Sequence, residues 1–82
     1  MNKTIKLRVK KAIDNPNEQK VIKLKGSIIA QGYTEIIHIA DENEDFYLNS
    51  FQTLEAEKTE AEKFITDFIA SNALEDTISI IG

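Results

Sequence analysis

Apolar residues recur in this chain at two different periods, and the switch between them points to a fold that packs helix on sheet. Near the N-terminus Ile5, Leu7 and Val9 alternate with Lys6, Arg8 and Lys10, so residues 3 to 12 read as a strand with one buried face. Between about Thr53 and Ser71 the period lengthens. There Leu54, Ala61, Phe64, Ile65, Phe68 and Ile69 fall on one helical stripe, while Glu55, Glu57, Glu60, Glu62 and Lys63 fall mostly elsewhere. Ser50 or Thr53 is placed to cap that helix, and Asn72 can take the left-handed position after its end.

The segments between and around these two are read from turn chemistry and β-propensity. Asn15-Pro16-Asn17-Glu18 reads as a turn, because proline presets the second turn position and asparagine tolerates turn geometry. A second strand is then expected from about Lys20. Folded back with Val9 opposite Leu24 or Ile22, residues 20 to 28 would set Lys23 and Lys25 beside Lys6, Arg8 and Lys10 on one polar face. Tyr33 to Ala40 reads as a central strand buried on both faces, and Asp41-Glu42-Asn43-Glu44 as a polar turn. Asp45 to Asn49 returns as a short strand with Phe46 and Leu48 inward and Tyr47 outward, either Gln31-Gly32 forms a further tight turn or Gly26 and Gly32 mark bulges in long strands, and Thr77 to Ile81 is a further β-run. The expected architecture is α+β: a mainly antiparallel four- or five-stranded sheet with one long helix packed on one face, residues 1–82 forming a single small domain. Thirteen isoleucines and a 41% hydrophobic content supply enough apolar surface to offset the entropy of ordering such a chain.

Charge is strongly segregated along the sequence. Residues 1 to 25 hold eight of the ten cations against Asp14 and Glu18, a net of +6, while the remainder sets twelve acids against Lys58 and Lys63, a net of −10. Such polarity bears on partners and encounter rates, and by itself says nothing about chemistry. Without cysteine there is no thiolate zinc site, disulfide framework or cysteine nucleophile, which fits a reducing compartment; the expected location is cytoplasmic. Met1 to Lys6 alternate polar and apolar, unlike a secretory leader, and no apolar run exceeds three residues, so no membrane association is expected.

No catalytic, metal or cofactor pattern is legible. His38 is the sole histidine and sits in a strand-like apolar run, with no second histidine for a metal site or a proton relay. Asp41, Glu42, Glu44 and Asp45 offer oxygens, but the twelve-residue calcium-loop pattern and its glycine are missing, so a solvated turn is the reading. The chain is therefore expected to be non-enzymatic, a small binding or regulatory module working through protein–protein contacts. Its expected surface is the acidic one of Glu55, Glu57, Glu60 and Glu62, joined by the Asp41 to Asp45 turn into one negative field suited to a basic partner. The alternative is a nucleic-acid-binding protein that holds phosphates with Lys6, Arg8, Lys10, Lys23 and Lys25, on a face expected to carry no aromatic for base stacking.

Overall fold

The computed structural model describes residues 1–81. Strand β1 (Asn2–Lys10) is followed by helix α1 (Asn15–Ala30), the hairpin of β2 (His38–Asp41) and β3 (Phe46–Leu54), helix α2 (Lys58–Ser71) and strand β4 (Ile78–Ile81), with one 3-10 turn over Glu55–Glu57. All pairings are antiparallel and the sheet order is β2-β3-β1-β4. A β-α-β-β-α-β chain in which the two halves interleave is the split, ferredoxin-like topology. The α+β class and the four-stranded antiparallel sheet are as expected from the sequence. The helical layer holds two helices where the periodicity predicts one.

The added helix is α1, and it replaces the expected second strand of an N-terminal hairpin. Asp14, not the Asn-Pro-Asn run, sets its start: the Asp14 carboxylate accepts from the Asn17 amide at 3.0 Å, and Pro16 sits in the first turn, where its missing N–H costs nothing. Val21, Leu24 and Ile28 then recur at helical spacing and are buried with Ile5, Leu7 and Val9 of β1. Gly32 closes the helix in the left-handed region, at φ +84°, while its amide donates to the Ile29 carbonyl and that of Tyr33 to the Ile28 carbonyl. α2 ends in the same paired hydrogen bonds, from Ala73 to Ala70 and from Leu74 to Ile69, with Ala73 at φ 54° in the left-handed place expected for Asn72.

Gly26 lies inside α1, exposed, with open space where a Cβ would stand. Gly26→Ala is expected to raise stability by about 0.5–1 kcal/mol, because alanine loses less backbone entropy on entering a helix. A rise in the urea midpoint checks it. A fall would show that residue 26 is not in a helix.

β3 runs longer than expected and with opposite parity. Its pairing with β1 spans nine residues, from Lys10↔Phe46 to Asn2↔Leu54, so Thr53 belongs to the strand and does not cap the helix. The odd residues Asn49, Phe51 and Thr53 face the helices, while Phe46 and Leu48 lie on the uncovered face beside Lys10 and Arg8. Shifting a strand by one residue turns every side chain over, and here burial of Phe51 against Ile5 fixes the choice. The consequence is that Asn49 and Thr53 are buried too, and neither the Asn49 Oδ1 nor the Thr53 Oγ1 has a hydrogen-bond partner among the described residues.

On α2 the buried stripe is Ala61, Ile65 and Ile69. Phe64 and Phe68 flank it, partly buried, in a tilted aromatic row with Tyr33 (ring centroids 5.9 and 6.5 Å apart). β2 is an edge strand exposed throughout, not the buried central strand expected of residues 33 to 40; β1 and β3 are central instead.

Candidate functional site

The hairpin is uneven, and the mismatch leaves a stretch of β3 without a neighbour. β2 covers only Tyr47–Ser50. In an antiparallel ladder alternate residues turn their amide and carbonyl groups to opposite sides; the Glu55 amide donates to the Met1 carbonyl at 2.9 Å, so odd-numbered residues of β3 bond β1 and even-numbered ones face β2. Beyond Ser50 the even-numbered residues are Gln52 and Leu54, and no described strand pairs with them on that side. The chain that could have done so folds on itself: Thr34 Oγ1 donates to the Ile36 carbonyl at 3.0 Å and accepts from the Ile36 amide.

This edge borders a cleft of about 650 Å³. Its walls include Tyr33, Glu35, Ile36 and His38 from the segment after α1, Gln52 to Leu54 from β3, and Glu57. The buried Thr53 hydroxyl lies among them. The Tyr33 phenol is raised above its ordinary pKa, first by loss of solvent, then by the negative charges of Glu60 and Glu57. Glu57 and Glu60 thus act on one aromatic at the mouth of an open strand edge, and Glu35 lines the same cleft. Of the four acids expected to form the acidic surface, Glu57 and Glu60 come together here. Glu55 is directed to Lys3 (3.8 Å), and Glu62 is half-buried on α2.

The Asp41 to Asp45 turn does not join this field. Nine residues of extended β3 separate it from the start of the 3-10 turn, about 30 Å at ~3.3 Å per residue. The turn is organised by Asn43, whose Oδ1 accepts from the amides of Asp45 (2.8 Å) and Phe46 (3.0 Å). No group of three or more carboxylate or histidine side chains suited to a metal occurs among the described residues.

The five cations expected on one hairpin face are split between two layers. Lys6, Arg8 and Lys10 stand on the uncovered face of the sheet, but Lys23 and Lys25 belong to α1 in the helical layer, because residues 15 to 30 are helix. Arg8 is also engaged: it donates to both Glu42 carboxylate oxygens (2.6 and 2.8 Å) and lies over the Phe46 ring at 5.4 Å. That hydrogen bonding holds the Glu42 carboxyl below its ordinary pKa and Arg8 above its own. Lys11 pairs with Asp41 at 3.1 Å and sits 5.0 Å from the Tyr47 ring centre. The two charge territories of the sequence are therefore partly neutralised in space, and the uncovered face carries an aromatic, Phe46, that the expected strand parity had turned inward.

No protein-family model matches the chain, and the curated proteins compared with it contain no match. No helix among the described residues is long and apolar enough to cross a membrane.

Proposed function

We propose that the protein is a non-enzymatic, cytoplasmic binding module that receives a basic, extended segment of a partner protein along the open edge of β3. The observation that carries this reading is the pair of residues Gln52 and Leu54, whose main-chain groups face away from β1 with no described strand upon them, beside the acidic rim of Glu35, Glu57 and Glu60. An added strand gains affinity from main-chain hydrogen bonds, and pockets for alternate side chains supply selectivity. Carboxylates around the groove favour lysine or arginine at those positions and speed encounter at low salt.

Two substitutions separate the parts of this reading. Leu54 has φ −64° and an exposed side chain, so Leu54→Pro fits the backbone and removes one free edge donor without touching the β1 ladder. Glu57→Lys with Glu60→Lys reverses the rim. With a lysine–valine hexapeptide as probe, binding to the parent should weaken with added salt, and each variant should weaken it by about tenfold, the equivalent of ~1.4 kcal/mol. Failure of the parent to bind at low salt, or binding unchanged in both variants, removes the proposal.

Phe46 favours one second reading, a single-stranded nucleic acid on the uncovered sheet face. There Lys6 and Lys10 would hold phosphates and Phe46 would stack a base. Lys6→Gln with Lys10→Gln should then lower the salt dependence of oligonucleotide binding by about two contacts' worth.

A further inference from the structure

On the uncovered face of the sheet one side-chain contact spans a whole strand. Arg8 stands on β1 opposite Leu48, and Glu42 follows directly after Asp41, the residue of β2 opposite Tyr47, which puts it beside Phe46. β3 lies between them, so the pair bridges two strand spacings, about 9.5 Å from β1 to β2. Arg8 Nε and Nη2 donate to the two Glu42 carboxylate oxygens at 2.6 and 2.8 Å, while the guanidinium lies over the Phe46 ring, 5.4 Å from its centre. One ion pair thus occupies both the fork of Arg8 and a face of Phe46.

The backbone holds Glu42 in this place. Its amide donates to the Phe46 carbonyl at 3.0 Å, and the Asn43 Oδ1 fixes the turn that follows. Lys6 and Lys10 flank Arg8 on the same face and form no ion pair with any described residue. A planar guanidinium donating two parallel N–H bonds fits a phosphate as it fits a carboxylate, and a base stacks on just such a ring face as Arg8 covers. Glu42 therefore takes, from within the chain, the position that suits a backbone phosphate.

We propose that Glu42 makes an autoinhibitory contact: it masks Arg8 and Phe46 against a single-stranded nucleic acid, and its release from Arg8 completes a site of one forked cation, two flanking lysines and a stacking ring. This rests on the second reading given above for the same face. An acidic peptide answers the cations but gains nothing from Phe46, so it is the less complementary occupant.

The test measures oligothymidylate binding to the whole chain across a salt series, for the parent, Glu42→Ala, Glu44→Ala, and Glu42→Ala combined with Arg8→Gln. Glu44 is exposed in the same turn and forms no ion pair with any described residue, so its removal reports the loss of one negative charge alone. Glu42→Ala is expected to tighten binding by about tenfold, the worth of a hydrogen-bonded contact to a charged group, and to steepen the slope of log affinity against log salt by about 0.7, one phosphate of a single strand. Glu44→Ala should do clearly less, and adding Arg8→Gln should cancel the gain. A second readout separates the mask from the reading beneath it: with inorganic pyrophosphate as probe, the Arg8 Nε–H resonance should shift saturably in Glu42→Ala and stay in place in the parent. If it does so while no variant binds oligothymidylate at low salt, the nucleic-acid reading falls and the masking of Arg8 stands. Equal gains from Glu42→Ala and Glu44→Ala, a gain that survives Arg8→Gln, oligoglutamate bound as tightly as oligothymidylate by Glu42→Ala, or an Arg8 resonance indifferent to pyrophosphate in that variant would overturn the proposal.

Discussion

Phe51→Ala should lower stability by about 3–5 kcal/mol, the usual cost of truncating a buried phenylalanine. Phe51 is 1% exposed, lies on a central strand opposite Ile5, and belongs to the cluster that joins both helices to the sheet. A chain of this length has a margin of only about 4–12 kcal/mol, so the variant should be largely unfolded at modest urea. Phe68→Ala is the informative comparison. Phe68 packs against that cluster from its border, partly buried, and should lose clearly less than Phe51. Urea midpoints measured side by side decide it: a Phe68 variant as unstable as the Phe51 variant would place the aromatic row of α2, not β3, at the centre of the core.

Lys23→Pro should cost about 3 kcal/mol or more while removing no packed side chain. Lys23 is exposed in the middle of α1, and a proline there deletes the amide that bonds the Gln19 carbonyl and pushes its ring against the same turn. The loss therefore reports the helix itself. Lys23→Ala, which keeps the helix, should stay within about half a kcal/mol of the parent. Circular dichroism and urea unfolding of the two variants would distinguish helix from the strand that the sequence pattern favours; a proline variant as stable and as helical as the alanine one would argue against α1.

Several elements were legible because a local signal had no competitor. The alternation of Ile5, Leu7 and Val9 marks β1, and their burial on one face follows from it. The spacing of Ala61, Ile65 and Ile69 marks α2; TISII at the end supplies β4; and the polar turn before Phe46 is the β2–β3 connection. Of the candidate site, the sequence supplied the acids but not their grouping. Glu57 and Glu60 were in view, whereas Tyr33, Glu35 and the free edge at Gln52 and Leu54 carried no motif of their own.

Residues 15 to 30 show where local information ran out. Ile22 and Leu24 fit a period of two, while Val21, Leu24 and Ile28 fit a helix, and over so few residues neither pattern excludes the other. Asp14 followed by Pro16 was the available helix-start signal, and it reads equally as turn chemistry. Coverage broke the tie. One face of a four-stranded sheet needs more apolar cover than the single helix α2 gives, and Val21, Leu24 and Ile28 provide it only as a second helix. The parity of β3 was likewise settled through space, by pairing with β1 along nine residues so that Phe51 is buried, with Asn49 and Thr53 carried inward by the period of two. Local periods and caps thus determined most of the elements, from residues a few positions apart. Which face each strand presents, which edge stays open and which charges meet depended on burial shared among residues distant in sequence, and only the tertiary structure could decide them.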